Sequence, residues 1–103
     1  METFHLVRDN YKDQPITKKV VGQELVGYLK NKLLTETTSL IVYPTMENFA
    51  NVLEVINCLR DQLQIPSVQL EKFQEQKANK EGSYINGCLI SITPTDPELP
   101  FKP

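Results

Sequence analysis

A chain of 103 residues with 40% hydrophobic and 23% charged residues has the size and composition of one globular domain. Its formal net charge of −2 argues against nucleic-acid binding, which depends on clustered lysine and arginine side chains. The apolar runs are too short for a membrane span, and the first residues lack the pattern of a signal peptide. We therefore expect a cytoplasmic protein that binds neither nucleic acid nor membrane.

The first half of the chain predicts two strands with a helix between them. Side chains alternate loosely over residues 3–8, as in a strand, and the polar residues 9–15 are typical of a loop. Thr17 is placed to cap a helix that runs to about Leu34 with apolar side chains on one face. Residues 37–43 (TTSLIVY) are rich in β-favouring side chains and precede a proline, which favours a buried strand.

The next segment is the clearest helix in the sequence. Thr45 is placed to cap it, and it runs from Met46 to about Gln64 before a proline. Its apolar residues cover more than half of the circumference. Strand, helix, strand and helix in this order are typical of a sheet with crossover helices.

Two structures fit the segment that follows. Residues 68–76 suit either a strand or a helix capped by Ser67. Residues 83–93 alternate like an interior strand, although their Asn86-Gly87 dipeptide is typical of a tight hairpin turn. We favour one long hairpin made of 68–76 and 83–93 over a helix followed by a short hairpin.

These elements together predict an α/β fold. It comprises a four-stranded mixed sheet and two helices in the order β-α-β-α-β-β, within a single domain of residues 1–93. Prolines at every third position set residues 94–103 apart as a tail with the period of a polyproline II helix.

The sequence contains no recognisable catalytic motif. His5 is the only histidine, Cys58 and Cys88 lack CxxC spacing, and no glycine-rich phosphate loop is present. We therefore predict no enzymatic activity, no metal and no cofactor. An alternative is a small enzyme or ligand-binding domain that uses Cys88 and His5, although buried cysteines usually behave as small apolar side chains.

A row of polar residues along the second predicted helix suggests a binding function. Glu47, Asn51, Glu54, Cys58 and Asp61 fall on one stripe, and three of the five are acidic. A solvated helix face accounts for the pattern. The functional interpretation is a docking face for a basic protein. It leads us to expect a small inhibitor or toxin-immunity-type protein that neutralises a basic enzyme such as a nuclease toxin.

The tail offers a further alternative. Residues 97–102 have the PxxPx(K/R) spacing of SH3-domain ligands, and Phe101 is placed to anchor the tail on this domain or on a partner. The chain would then be an adaptor subunit recognised through its proline-rich tail. A tail that packs back on its own domain explains the same residues.

Overall fold

The computed structural model describes residues 3–92, and within them the chain is helical with no strand. The helices are α1 (Gly22–Val42), α2 (Met46–Gln62) and α3 (Ser67–Glu81). They contain 59% of the described residues. The chain forms two compact units, Met1–Glu71 and Lys72–Pro103, and α3 begins in the first and ends in the second.

The predicted α/β fold, with its four-stranded mixed sheet, is therefore wrong. Residues 3–8 and 83–92 have β-favouring side chains, but neither segment pairs with another strand within the described part of the chain. β-propensity reflects how a side chain packs on a pleated surface, so it produces a strand only where a sheet exists to receive it. The proline-rich residues 94–103 lie outside the described residues.

The segment 37–43, predicted to be a buried strand, is helical through Val42 and forms the C-terminal part of α1. Its hydroxyl side chains turn back to the helix backbone. Thr38 Oγ1 donates to the carbonyl of Leu34 at 2.9 Å, and Ser39 Oγ donates to that of Thr35 at 3.3 Å. This i to i−4 bonding gives the threonine and serine hydroxyls a partner within the helix. The low helix propensity of these residues is overcome because extending a helix that has already formed costs less than starting one.

The start of α1 also differs from the prediction. The helix begins at Gly22 rather than beyond Thr17, and Val21 before it is extended and makes no side-chain cap. Gly22 has a φ of +61°, a left-handed conformation that glycine adopts without steric cost. This residue lets the chain turn from an extended segment into the helix.

The predicted second helix is confirmed as α2, and so is its cap. Thr45 Oγ1 accepts the backbone N–H of Asn48 at 3.2 Å. The Asn48 side chain in turn donates to the carbonyl of Tyr43 at 2.8 Å and to that of Ser39 at 3.4 Å. One residue near the start of α2 thereby closes the end of α1, which holds the three-residue connection in place.

The first unit is a helical hairpin with a small buried core. The short connection makes α1 and α2 antiparallel, and the two helices pack against each other. Among the described residues only Val26, Leu29 and Val55 are buried apolar side chains, with 4%, 4% and 8% of their surface exposed.

The N-terminal segment, residues 3–21, packs on the hairpin without regular structure. Arg8 Nη2 donates to Asn51 Oδ1 on α2 at 2.7 Å. Lys18 Nζ lies 3.3 Å from Glu24 Oε2 on α1 and 5.4 Å from the centre of the Phe4 ring. These polar contacts attach the segment to both helices.

The link between α2 and α3 is a Schellman turn. The N–H of Ile65 bonds to the carbonyl of Arg60 at 3.1 Å, and that of Gln64 bonds to Asp61 at 3.0 Å. Gln64 has a φ of +60°, where glycine is the usual residue. Arg60 Nη1 also donates to the carbonyl of Ile65 at 2.7 Å.

The turn yields a stability prediction. We expect Gln64→Gly to raise the free energy of unfolding by about 1 kcal/mol, because a non-glycine residue pays a steric cost in the left-handed region. Urea denaturation followed by circular dichroism measures the effect. Gln62→Gly, two residues earlier and inside α2, is the matched control and is expected to lower stability by about 1 kcal/mol. A loss of stability in both variants would contradict the assigned turn.

Residues 68–76 form part of α3, so the favoured strand is wrong and the alternative helix is correct, although Ser67 is the first residue of α3 and not a cap before it. Gln, Glu and Lys dominate this segment and favour helix, and the predicted hairpin lacked a strand to pair with. Beyond α3, the Asn86-Gly87 dipeptide does lie in a turn. The N–H of Gly87 bonds to the carbonyl of Tyr84 at 3.2 Å, but no strand flanks the turn within the described residues.

Candidate functional site

The helical hairpin exposes an apolar surface. α1 contributes two large apolar side chains seven residues apart, and α2 contributes four at helical spacing, with exposed fractions between 38% and 88%. We call this surface the hairpin face, and its residues are Leu34, Ile41, Met46, Phe49, Leu53 and Ile56.

Helix geometry places the two stripes on one side of the hairpin. At 100° per residue, the α1 stripe is centred about 100° and the α2 stripe about 140° from the buried row of its helix, both in the direction of increasing residue number. Because α1 and α2 are antiparallel, two stripes that are rotated from the buried rows in the same direction lie on the same side of the hairpin. The loop end of the hairpin thus carries one apolar surface rather than two separate ones.

No residue of the hairpin face is charged, and the α1 hydroxyls beside it have internal partners. The Thr38 hydroxyl donates to the backbone carbonyl of Leu34, and the Thr35 hydroxyl donates to that of Asn31. The hydroxyl hydrogens of both threonines therefore have acceptors within the helix. The chemistry of the surface is that of a packing interface and not of a reaction centre.

The predicted polar row on α2 separates into two parts. Glu47, Glu54 and Asp61 are exposed, whereas Asn51 and Cys58 are half-buried. Asn51 accepts from Arg8 of the N-terminal segment, so its side chain is already occupied. Asp61 lies 2.9 Å from Arg60 Nη2. The acidic row of Glu47, Glu54 and Asp61 lies about a third of a turn from the α2 stripe of the hairpin face.

Cys58 is a shielded thiol. Burial raises its pKa first, and the hydrogen bond from Sγ to Glu54 Oε2 at 3.5 Å raises it further. The negative charges of Glu54, Asp61 and Asp9 act in the same direction. Each of these causes favours the neutral thiol over the nucleophilic thiolate, the opposite of what a reactive cysteine requires.

We expect Cys58 to alkylate more slowly than the exposed Cys88 in the folded protein at mildly alkaline pH. Iodoacetamide labelling followed by peptide mass spectrometry measures the two rates separately. Glu54→Gln should speed the reaction of Cys58, because it removes one of the charges that oppose the thiolate. Glu71→Gln, on α3, is the control and should leave the rate unchanged. Equal rates for Cys58 and Cys88 in the wild type would contradict the shielding.

The other sequence-predicted site residues belong to different units or lie outside the described residues. His5 is exposed in the first unit, and Cys88 is exposed in the second. Phe101 lies outside the described residues. Within residues 3–92 no group of three or more histidine, cysteine, aspartate or glutamate side chains is arranged to hold a metal ion.

An open groove of about 960 Å³ runs between the N-terminal segment and the start of α1. It contains several cationic groups, but two of them already have partners. Arg8 bonds to Asn51, and Lys18 pairs with Glu24 while lying over Phe4. The groove thus marks where the N-terminal segment attaches to the hairpin.

Sequence-based reasoning missed the hairpin face, although a signal for it was present. Phe49, Leu53 and Ile56 belong to the apolar residues that cover more than half of the circumference of the predicted helix, and the structure exposes them by 52%, 59% and 38%. A helix in a two-helix pair needs only a narrow apolar seam, so an apolar arc wider than half the circumference indicates contacts on a second side.

Protein-family models, curated proteins and solved structures were each compared with the chain, and none of them matches it. Within residues 3–92, none of the helices combines the length and the apolarity that crossing a bilayer requires.

Proposed function

We propose that this chain is a non-catalytic protein-binding module whose hairpin face packs against another polypeptide. The observation that carries the proposal is the exposure of six large apolar side chains on a hairpin whose described part buries only Val26, Leu29 and Val55. Burial of one such side chain contributes about 1.5–3 kcal/mol. A contiguous apolar patch of this size on a folded protein typically marks a site of protein association.

The shape of the surface favours a helical partner. The stripes of the hairpin face follow the helix axes, with spacings of seven residues on α1 and of three or four on α2. Such ridges interlock with the side chains of another helix. A small-molecule site, by contrast, is concave and encloses most of its ligand.

A capture experiment tests the proposal. Immobilised wild-type protein is incubated with a lysate of its source cells to which a tagged second copy of the chain has been added. Phe49→Glu, on the hairpin face, should abolish specific retention. Val21→Glu is the control, since Val21 is 80% exposed, lies outside the hairpin face and receives the same charge. The proposal is wrong if the wild type retains no polypeptide, the second copy included, above the level of Phe49→Glu.

The acidic row supports a narrower proposal, that the module also docks a basic protein in the manner of a small inhibitor. Glu47, Glu54 and Asp61 are exposed on one side of a capped helix, and rigid placement limits the entropy lost on binding. Asp61 is partly neutralised by Arg60, which leaves Glu47 and Glu54 as the main attracting charges.

For this docking we expect Glu47→Lys/Glu54→Lys to weaken capture of a basic partner at least about tenfold, chiefly by slowing association. Capture by the wild type should also fall as salt is added, because screening acts on exposed charges. Glu71→Lys/Glu75→Lys on α3 makes the same change of net charge elsewhere and serves as the control. If the two double variants lose capture of the basic partner equally, the effect is due to net charge and the acidic row is not a docking surface.

A further inference from the structure

We infer that the occupant of the hairpin face is a second copy of this chain, so that two α1–α2 hairpins form a four-helix bundle. This inference rests on the proposed function and names its partner. It is carried by the area of the face, its lack of charge and its position across two antiparallel helices.

The area of the face suits a stable dimer. Six large apolar side chains that each expose on the order of 100 Å² supply roughly 600 Å². A stable interface covers roughly 800 Å² on each partner. The polar rim, which includes Thr38 and Lys30 on the exposed side of α1, is available to supply the remainder.

The electrostatics permit self-association. In a two-fold dimer the same patch meets itself, so any net charge on the patch would face an identical charge. The six residues of the hairpin face carry none, whereas Lys30 lies on the exposed rim, where solvent and salt screen its charge. The acidic row lies on another side of α2, where two copies do not bring their carboxylates together.

The architecture points to a second hairpin rather than a single added helix. The face straddles α1 (Leu34, Ile41) and α2 (Phe49, Leu53). One helix in the groove between α1 and α2 would contact the inner edges of both stripes but would not reach Leu53, which lies about 160° around α2 from the buried Val55. Two antiparallel pairs that pack face to face cover both stripes, which is the arrangement of a four-helix bundle. A second copy of the chain supplies another α1–α2 helix pair whose apolar stripes have the same spacing.

Sedimentation equilibrium and light scattering on the full-length chain test the inference over a range of protein concentrations. The wild type should have twice the 11.8 kDa mass of the chain. Leu53→Glu and Ile41→Glu should each raise the dimer dissociation constant by at least about a hundredfold, because a buried unpaired carboxylate opposes association. Val21→Glu should remain dimeric. Circular dichroism checks that every variant keeps its helices.

Each outcome has a defined meaning. A wild type that is monomeric at high concentration overturns the second-copy assignment, and so does a dimer that survives both hairpin-face variants. In those cases the proposed function is judged separately by the capture experiment, where a retained polypeptide other than this chain would identify a different occupant. If the wild type neither self-associates nor retains any polypeptide in the capture experiment, both proposals are wrong.

Discussion

Leu29→Ala should lower the free energy of unfolding by about 3 kcal/mol, the largest effect expected of any single truncation in the described part of the chain. Leu29 is 4% exposed and is one of only three buried apolar residues there. Removing its side chain forfeits the transfer free energy and leaves a cavity between α1 and α2. Since a domain of this size is stabilised by only about 5–15 kcal/mol, the loss is a large share of the total.

Leu89→Ala is the matched control, because Leu89 is 94% exposed and its truncation removes almost no buried contact. Both variants are compared with the wild type by urea denaturation at one fixed protein concentration, since self-association couples stability to concentration. Equal stability losses for Leu29→Ala and Leu89→Ala would mean that the core does not lie between α1 and α2.

The parts of the fold that were predictable from sequence are those determined by local interactions. Thr45 and the apolar pattern after it specified α2 and its cap, and both are confirmed. Asn86-Gly87 indicated a turn only in the less favoured alternative, and the N–H of Gly87 does bond to the carbonyl of Tyr84 there. A cap or a turn depends on a few neighbouring residues, so the sequence alone contains the cause.

The predicted sheet failed because strands depend on partners that are distant in sequence. Residues 37–43 have the composition of a buried strand, yet they continue the helix that begins at Gly22. Serine and threonine hydroxyls in this segment bond to i−4 carbonyls, so these polar groups have partners within the helix that continues to Val42. Composition cannot distinguish a β-favouring segment with a sheet beside it from one at the end of a long helix.

The candidate site was predictable only in part for a related reason. The exposure of the acidic carboxylates on α2 follows from the amphipathic pattern of one helix. Asn51 and Cys58 belong to the same stripe but are half-buried, and Asn51 accepts a hydrogen bond from Arg8, which is about forty positions away in the N-terminal segment. The hairpin face likewise requires the packing of α1 on α2, which determines which apolar side chains remain outside.

Asn48→Ala should lower the free energy of unfolding by about 1–2 kcal/mol, because the Asn48 side chain on α2 donates two hydrogen bonds to backbone carbonyls at the end of α1. Its side chain donates to the carbonyl of Tyr43, which follows the last residue of α1, and to that of Ser39, which also accepts the backbone N–H of Tyr43. Alanine removes both bonds, and its better helix propensity recovers only about 0.5 kcal/mol.

Asn57→Ala separates the capping contribution from the propensity change. Asn57 lies on the same helix, is exposed, and has no side-chain hydrogen bond among the described residues, so its replacement should stabilise the protein by about 0.5 kcal/mol. Denaturation midpoints should therefore move in opposite directions for the two variants. Amide hydrogen exchange should also accelerate in the last turn of α1 in Asn48→Ala alone, because that turn loses its cap. If the two variants shift stability alike, the Asn48 side chain does not secure the connection, and the orientation of α2 that creates the hairpin face must have another cause.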